Sequence, residues 1–416
     1  MTAPTIESEV RSYCRNWPVV FRQGRGSRIV DREGRVYLDF FAGAGALNYG
    51  HNHPVLKRAL LDYLEQDGVT HSLDMLTAAK ESFLAEFAVR VLRPRGLDYR
   101  VQFPGPTGTN SVEAALKLAR KVTGRQTVVA FTGGFHGMSL GSLAVTGNAS
   151  KRGGAGVPLG HTWRIPYDGF GGGTVSGLAL LDSMLADSSS GADLPAAVIV
   201  ETVQGEGGIN PARASWLADL AELCGRRDIL LIVDDIQMGC GRTGPFFSFE
   251  AAGITPDIVC ISKSISGYGL PMSLTLFRAE LDVWRPGEHN GTFRGNNPAF
   301  VTAAAALREF WSDSALEKQT AVRSTLFEER LGELAARHAA HLVGPRGRGM
   351  AWGLAFREPG RAHQVADVAF ARGLLVETAG SYDEVVKLMA PLTATDDELA
   401  EGFDILRDSV DSALKT

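Results

Sequence analysis

Several features that would suggest a function directly are absent from this sequence of 416 residues. Its four cysteines are scattered without a CxxC pair, which excludes a zinc framework and is typical of a chain kept in a reducing compartment. No apolar run approaches transmembrane length, and residues 1–17 lack the apolar core of a signal peptide. The net charge of −5 is spread along the chain, which favours neither nucleic acid nor a membrane surface as partner. We therefore expect a cytoplasmic globular protein.

Two apolar runs that each stop at a charged residue are the main positive signal. Residues 229–233 run into Asp234, and residues 258–262 run into Lys263. Continuous apolar runs are typical of strands covered on both faces, as in a parallel sheet, whose carboxyl ends meet over one ligand-binding crevice. A lysine amine can form a Schiff base with an aldehyde cofactor, and an aspartate can keep a pyridine nitrogen protonated. The pair therefore predicts pyridoxal 5′-phosphate.

The alternation of elements predicts the fold class. Between about residues 55 and 295 the sequence predicts strands over 127–131, 196–200, 229–233, 258–262 and 273–277, with helices such as 111–122 and 216–226 between them. This βαβ rhythm indicates an α/β fold with a mostly parallel, doubly wound sheet.

Both ends of the chain differ from this central part. Residues 28–39 predict a hairpin that turns at residues 31–34. From Pro298 a long alanine-rich helix is predicted toward Arg337, followed by strands near 352–356 and 385–389 and a helix over 396–414. We expect three divisions: an N-terminal lobe over 1–54, a large cofactor-binding domain over 55–297 and a C-terminal small domain over 298–416.

Two glycine-containing loops could hold the cofactor. Residues 104–111 precede an amphipathic helix, and Asn110 with Glu113 fits a capping box. Backbone N–H groups at a helix N-terminus can bind an anion such as phosphate. A capped helix that binds no ligand would show the same sequence pattern. Residues 133–141 follow a predicted strand and present Phe135, which could either lie on a heteroaromatic ring or pack in the core.

A serine hydrolase is the rival interpretation from another class of enzyme. Gly137-x-Ser139-x-Gly141 fits the nucleophile elbow of α/β-hydrolases, and Asp234 and His289 follow in the right order. The pattern is weak in a glycine-rich chain and leaves Lys263 without a role. Hydrolysis that depends on Ser139 is therefore a distant alternative.

Metal chemistry has less support. His51 and His53 lie close in sequence, and Asp234 and Asp235 are adjacent, but no third ligand or clustered histidine accompanies either pair. We expect no metal site.

The combined motifs resemble the class III aminotransferases, which are fold-type I pyridoxal-phosphate enzymes. The matching segments are Asp31-x-x-Gly34-x-x-Tyr37-Leu38-Asp39-Phe40, Gly50-His51-x-His53-Pro54, Thr107-Gly108-Thr109, Phe135-His136-Gly137, Glu201-Thr202-Val203-Gln204-Gly205-Glu206, Asp234-Asp235-Ile236-Gln237, Ser262-Lys263 and Gly291-Thr292-Phe293. The resemblance covers nearly the whole chain. It implies a large domain with a mostly parallel sheet and a small α+β domain built from both termini.

The resemblance also implies roles at the cofactor ring. Lys263 is similar to the Schiff-base lysine that also shuttles the proton, and Asp234 to the residue that pairs with the ring nitrogen. Gln237 would contact the ring hydroxyl, Phe135 would stack on the ring, and His136 belongs to the same cofactor-binding motif.

Other implied contacts reach the cofactor phosphate. Gly108 and Thr109 would supply N–H and hydroxyl donors. Thr292 is similar to the threonine that reaches the phosphate of a neighbouring subunit. That role implies at least a homodimer with shared active sites.

Substrate recognition departs from the pattern of much of the family. Glu206 is similar to the carboxylate that pairs with a substrate-binding arginine, but that arginine is replaced by Lys387. Met138 stands where an arginine commonly follows the Phe-His-Gly motif. Both changes argue against ornithine, acetylornithine and 4-aminobutyrate enzymes that use those arginines. Glu206 and Lys387 are still candidates for substrate binding, with Lys387 acting as a point charge.

In detail the segments are most similar to the diaminobutyrate–2-oxoglutarate aminotransferases of ectoine biosynthesis, which accept Met138 and Lys387. The similar segments are residues 103–110, 135–143, 233–244, 262–271 and 292–297. This resemblance implies L-glutamate and L-aspartate 4-semialdehyde as substrates, in osmoadaptation or a related supply of diaminobutyrate. An ω-aminotransferase for another diamine or amino aldehyde is the alternative.

Overall fold

A computed structural model describes residues 6–415, so the outermost residues of the first and third predicted divisions, 1–5 and 416, lie outside the described part. Its strands, in chain order, are β1 (Phe21–Arg25), β2 (Arg28–Asp31), β3 (Val36–Asp39), β4 (Tyr99–Gln102), β5 (Val128–Phe131), β6 (Thr162–Ile165), β7 (Ala197–Val200), β8 (Val203–Gln204), β9 (Asn210–Pro211), β10 (Leu230–Asp234), β11 (Ile258–Ile261), β12 (Leu274–Arg278), β13 (Leu342–Arg348), β14 (Ala351–Phe356), β15 (Leu374–Leu375), β16 (Glu377–Ala379) and β17 (Val385–Leu388).

Its α-helices are α1 (Tyr13–Asn16), α2 (Ala42–Gly45), α3 (Pro54–Glu65), α4 (Ala78–Phe87), α5 (Gly108–Thr123), α6 (Leu140–Val145), α7 (Ala149–Arg152), α8 (Gly177–Ala186), α9 (Ala214–Arg226), α10 (Asn297–Phe310), α11 (Ala315–Arg337), α12 (Arg361–Ala371) and α13 (Asp396–Ala413). Shorter helical turns cover Ala88–Leu92, Arg93–Arg95, Phe170–Gly173, Glu250–Ala252, Lys263–Ser266, Ala279–Leu281 and Thr292–Arg294. No helix within residues 6–415 is both long enough and apolar enough to cross a membrane.

The central sheet confirms the predicted α/β architecture. Its seven strands lie in the order β4-β12-β11-β10-β7-β5-β6, and all of them except β12 run in one direction. The five strands predicted for this region are present with ends shifted by one residue at most. The edge strands β4 and β6 were not predicted, because each is only four residues long and carries an arginine.

Both faces of this sheet are buried, which explains its continuous apolar strands. In β10, Ile232 packs with α5 on one face, while Leu231 and Val233 belong to the larger core on the other face, which includes α9. Because side chains alternate along a strand, both sets have to be apolar. The arrangement leaves the carboxyl edge of the sheet as the open end.

The two ends of the chain build two further sheets. The predicted hairpin is present as β2 and β3, and β3 pairs in parallel with β15, so one sheet has the order β1-β2-β3-β15. The other sheet has the order β13-β14-β17-β16. The division of the chain at residues 54 and 297 stays a prediction.

The buried side chain of Arg242 ties these parts together. Its Nη1 donates to the carbonyl oxygens of Met350 (3.0 Å) and Ala390 (2.5 Å), and its Nη2 donates to Oδ1 of Asn48 (2.6 Å). The guanidinium therefore joins the loop after β10 to both ends of the chain.

Two details of the predicted helices are wrong. The long helix after Pro298 is interrupted between Phe310 and Ala315, where Oδ1 of Asp313 accepts the N–H of Ala315 (2.8 Å) and competes with helical bonding. Trp311 in this break is buried and donates its indole N–H to the hydroxyl of Tyr49 (2.8 Å). The helix α10 therefore ends at the residue before Trp311, whose side chain is packed in the core.

The predicted capping box at the start of α5 also needs correction. The helix begins at Gly108 with Thr107 as N-cap, three residues before the predicted cap. Oδ1 of Asn110 accepts the N–H of Thr107 (3.1 Å), while Oε1 of Glu113 accepts the N–H of Ser142 (3.0 Å). The earlier start brings Gly108 and Thr109 into the first turn.

Candidate active site

A cavity at the carboxyl edge of the central sheet brings together most of the predicted site residues. β10 and β11 are parallel neighbours with Asp234 opposite Cys260, and Lys263 follows three residues after Cys260. Asp234 and Lys263 therefore come from adjacent strand ends, as predicted. The residues that line the cavity are Gly108, Thr109, Phe135, His136, Gly137, Glu201, Glu206, Asp234, Ile236, Gln237, Met238 and Lys263.

Lys263 has the environment of a nucleophilic amine. Its Nζ donates to the carbonyl oxygen of Ala44 (2.7 Å), and its φ of 51° lies in the left-handed region that few side-chain-bearing residues adopt. Burial lowers the pKa of Lys263 to about 8, with the carboxylate of Glu206 opposing and the ammonium of Lys387 reinforcing that shift. An amine with this pKa is uncharged in a useful fraction near neutral pH.

The carbonyl that accepts from Lys263 lies in an unusual turn. Ala42, Gly43, Ala44 and Gly45 all have positive φ, from 46° to 87°, so α2 is a left-handed turn. Side-chain bonds also hold both ends of the turn: Oδ1 of Asp39 accepts the N–H of Ala42 (2.8 Å), and Oγ of Ser264 donates to the carbonyl of Gly45 (2.8 Å). Non-glycine residues with positive φ are strained, and such strain often lies at functional sites.

Asp234 is buried and held in place by two hydrogen bonds. Its Oδ2 lies 2.7 Å from Nδ1 of His136, and its Oδ1 accepts the N–H of Ile236 (3.2 Å). Burial lowers the pKa of His136, but the hydrogen bond and charge of Asp234, together with the charge of Glu201, outweigh burial and raise it. The hydrogen bond to this histidine fixes the orientation of the Asp234 carboxylate, which lines the cavity where a cationic group can contact it.

Glu201 also lines the cavity. In the sequence it was matched only as part of a family motif, and no role was predicted for it. Its Oε2 accepts the N–H of Phe135 (2.9 Å), and its Oε1 accepts the N–H of Gly205 (3.3 Å). Burial raises the pKa of Glu201 to about 7, while the positive charge of His136 lowers it and the negative charge of Asp234 adds to the rise. Its position directly after β7, like Asp234 at the end of β10, was the available signal.

The first turn of α5 forms the wall of the cavity where an anion would fit. Gly108 and Thr109 begin the helix, and the first N–H groups of a helix have no partner within it. Oγ1 of Thr109 lies 2.8 Å from Oγ of Ser139 and 2.9 Å from Oγ of Ser142. A Cβ on Gly108 would lie 3.1 Å from the side chain of Ile236, so the glycine permits close packing.

A line of polar contacts leads away from Lys263. Nε2 of Gln237 donates to the same Ala44 carbonyl (3.0 Å) and to Oε1 of Glu206 (3.3 Å). Oε1 of Glu206 also accepts from Nζ of Lys387 (2.7 Å). Burial raises the pKa of Glu206, but the ammonium groups of Lys387 and Lys263 outweigh burial and lower it to about 2.

Lys387 has a second acidic neighbour that the sequence analysis did not identify. Its Nζ lies 2.9 Å from Oε1 of Glu377, and the hydroxyl of Tyr13 donates to Oε2 of Glu377 (3.2 Å). Lys387 has no exposed side-chain surface, whereas the Glu206 side chain is 26% exposed. In this arrangement Glu206 is the member of the cluster that faces the cavity.

Two residues of interest lie elsewhere. Thr292 does not line this cavity, and its carbonyl oxygen lies 2.7 Å from Nε2 of His71. Met138, at the position of a common family arginine, is an exposed side chain.

The serine hydrolase alternative is wrong. Ser139 contacts Thr109, and Asp234 pairs with His136, while the ring of His289 packs against Trp284 at 5.7 Å between centroids. The proposed serine, histidine and aspartate are therefore not arranged as a triad.

One of the two histidines considered for a metal, His51, has another partner. Nε2 of His51 lies 2.7 Å from Oδ2 of Asp39. Among residues 6–415, no group of three or more histidine, cysteine or acidic side chains is placed to hold a metal ion.

Comparison with known proteins gives a consistent result. Residues 11–410 match the family model described as aminotransferase class-III. The chain is 63% identical over 410 residues to a diaminobutyrate–2-oxoglutarate transaminase of Nocardia farcinica, covering 98% of this chain and 93% of the relative. It is 64% identical over 407 residues to the protein of that name from Streptomyces avermitilis, covering 98% and 96%.

The fold is also similar to solved structures. An ornithine aminotransferase of Toxoplasma gondii, described with partial occupancy of pyridoxal phosphate at its active site, superposes with a TM-score of 0.84 at 26% identity, covering 100% of this chain and 93% of that chain. The fold is thus that of the fold-type I pyridoxal-phosphate enzymes, as predicted.

Proposed function

This chain belongs to the class III aminotransferase family, and on that premise we propose that it transfers the amine of L-glutamate to L-aspartate 4-semialdehyde. The products would be 2-oxoglutarate and L-2,4-diaminobutyrate, for ectoine synthesis or a related use of diaminobutyrate. Support comes from the name carried by relatives at 63% and 64% identity over nearly the whole chain. Identity at this level, together with the departures of this chain at Met138 and Lys387, favours this substrate pair over the substrates of ornithine or acetylornithine enzymes.

The protein depends on pyridoxal 5′-phosphate, as its family does, and the cavity suits that cofactor. The donor set combines a buried amine of lowered pKa at Lys263, the carboxylate of Asp234, the aromatic ring of Phe135 and the first turn of α5. These groups match an aldehyde, a ring nitrogen, a flat ring and a phosphate. When bound, the cofactor supplies the carbonyl carbon that takes up amines and a ring that withdraws electrons from the reacting carbon.

The observation that carries the proposal is the placement of Lys263 and Asp234 at adjacent strand ends over one cavity. Lys263 would hold the cofactor, and its Nζ would move the proton between the substrate carbon and the cofactor carbon. Asp234, held in place by His136, would pair with the ring nitrogen and keep it protonated. Gln237 would contact the ring hydroxyl.

The remaining contacts are proposed from the family likeness. Phe135 would cover one face of the ring, and Gly108 and Thr109 would bind the phosphate. Thr292, which does not line its own cavity, would bind the phosphate in a second subunit, so the active form would be at least a homodimer. We propose a cytoplasmic location.

Product identification tests the function directly. Purified protein is incubated with L-glutamate and L-aspartate 4-semialdehyde, and L-2,4-diaminobutyrate and 2-oxoglutarate should accumulate in equal amounts by mass spectrometry. Lys263→Ala serves as control, because it should bind pyridoxal phosphate without turnover. Normal turnover by that variant would refute the role of Lys263.

The alternative is an ω-aminotransferase for another diamine or amino aldehyde. It is favoured if glutamate 5-semialdehyde or 4-aminobutanal accepts the amine with a kcat/KM higher than that of aspartate 4-semialdehyde. In that case the family assignment would stand and the diaminobutyrate assignment would not.

A further inference from the structure

Backbone pairing of two strands places Glu377 next to Lys387. They are directly opposite each other in the antiparallel pairing of β16 with β17. Side chains at directly opposite positions lie on the same face of a sheet, so the strand register itself holds the two charges together. Their separation is 2.9 Å, and both are buried, at 3% and 0% side-chain exposure.

Glu206 is held differently. It lies in the turn between β8 and β9, not in the sheet that carries the other two residues. Its Oε1 accepts from Lys387 and Gln237, and about a quarter of its side chain is exposed. It lines the cofactor cavity and also a second cavity that shares Phe135 with the first.

The cluster therefore has an excess of negative charge. Two carboxylates surround one ammonium, and Lys387 is already neutralised by Glu377 even without Glu206. The ammonium of Lys387 is buried behind Glu206 and has no surface to offer a substrate carboxylate. Among these three side chains the net charge is −1, and Glu206 presents it at the cavity wall that faces Lys263, the other cationic group near it.

Burial strengthens the attraction between the Glu206 carboxylate and a cation. In a low-dielectric site an unpaired carboxylate attracts a cation much more strongly than in water. A substrate ammonium that reaches Glu206 supplies the missing positive charge without disturbing the Glu377–Lys387 pair.

We propose that Glu377 is a specificity-determining residue that acts by neutralising Lys387, so that Glu206 is free to bind a second ammonium group on the substrate. This inference rests on the proposed diaminobutyrate function. The ligand class is an amino acid with an α-ammonium in addition to the amine that is transferred. Glu377 itself does not contact substrate and acts as a positioning residue.

A matched pair of amino donors tests the proposal. L-2,4-diaminobutyrate and 4-aminobutyrate have the same chain and carboxylate, and they differ only in the α-ammonium. With 2-oxoglutarate as acceptor, Glu377→Gln should reduce the ratio of kcat/KM for diaminobutyrate to that for 4-aminobutyrate by about tenfold or more. The reason is that Lys387 would then need Glu206 as its counter-ion.

A double variant separates charge from structure. Glu377→Gln with Lys387→Gln removes the neutral pair and leaves the charge of Glu206 unbalanced, so the ratio should recover to within about threefold of the unmodified protein. Tyr13→Phe removes a hydrogen bond to Glu377 without changing charge and should keep the ratio. If Glu377→Gln does not fold, the double variant and Glu377→Asp, which keeps the charge, still test the proposal, because both should keep the ratio.

The outcomes differ for the two levels of inference. An unmodified protein that does not use diaminobutyrate at all would refute the proposed function. If it does use diaminobutyrate, two results would refute the role of Glu377. One is that Glu377→Gln lowers kcat/KM for both donors equally. The other is that the double variant has a ratio of kcat/KM for diaminobutyrate to that for 4-aminobutyrate as low as that of Glu377→Gln.

Discussion

Raising the pH from 6.5 to 9 should speed the covalent capture of pyridoxal phosphate by the cofactor-free protein about 30-fold. Burial lowers the pKa of Lys263 to about 8, against the opposing charge of Glu206. The neutral amine, which is the reactive form, therefore grows from about 3% of the molecules at pH 6.5 to about 90% at pH 9. A lysine with an ordinary pKa would be only about 4% neutral at pH 9.

The measurement does not depend on turnover. Cofactor-free protein is mixed with pyridoxal phosphate at each pH, the reaction is stopped with borohydride, and the mass of the peptide that contains Lys263 reports the fraction modified. The rate should increase about tenfold per pH unit well below pH 8 and level off above it. A rate that still increases tenfold per unit at pH 9.5, or one that does not change with pH, would contradict the assigned environment of the amine.

A variant pair checks the cause of the shift. The carboxylate of Glu206 raises the pKa of Lys263, so Glu206→Gln should move the midpoint to lower pH. Glu329→Gln, on the exposed face of α11, should leave the midpoint unchanged. Equal shifts in both variants would indicate a general charge effect and not a contact within the cavity.

Three further predictions concern the ring, the phosphate and the fold. Asp234→Asn removes the charge that pairs with His136 and should lower kcat by about 100-fold or more at saturating cofactor, measured by steady-state kinetics, with thermal denaturation confirming that the variant is folded at the assay temperature. Gly108→Ala places a Cβ 3.1 Å from Ile236 at the first turn of α5, and it should weaken cofactor binding about tenfold in equilibrium dialysis, a change of about 1.4 kcal/mol. Arg242→Met leaves three buried oxygen acceptors without their charged donor and should lower the free energy of unfolding by about 3–5 kcal/mol in urea denaturation.

Each of these has a control of the same residue type. Asp193→Asn is an exposed change and should leave kcat as it is. Gly332→Ala, in α11 with open space around the added Cβ, should not alter cofactor binding. Arg330→Met on the surface should change the free energy of unfolding by less than about 0.5 kcal/mol. A control that behaves like its partner variant would remove the structural reason given for that prediction.

Sequence reasoning located the central elements because their signals are local. The apolar runs before Asp234 and Lys263 are long, continuous and abrupt in ending, so burial on both faces and the position of the strand ends follow from them. The loop of Phe135 and the start of α5 were found through their glycines, although the helix cap was misplaced by three residues. Here hydrophobic patterning was sufficient.

The contacts that complete the site were not predictable in this way. The Ala44 carbonyl that accepts from Lys263 is a backbone atom 219 positions away in the chain, and an unusual left-handed turn presents it. Glu377 belongs to none of the motifs, so only the register of β16 with β17 reveals its pairing with Lys387. Such contacts depend on tertiary arrangement, which no short pattern encodes.

The parallel pairing of β3 with β15 has a consequence for how the enzyme is made. The segment that carries Ala44 leaves the ribosome early, but the strand that completes its sheet, around Leu374, is translated more than three hundred residues later. At about 5–20 residues per second, that interval is roughly 20–70 seconds. A nascent chain stalled before Leu374 would contain Asp234, Lys263 and the first three strands of this sheet but not β15, the strand that completes it beside the segment of Ala44. We therefore expect cofactor capture to begin only when synthesis is nearly complete.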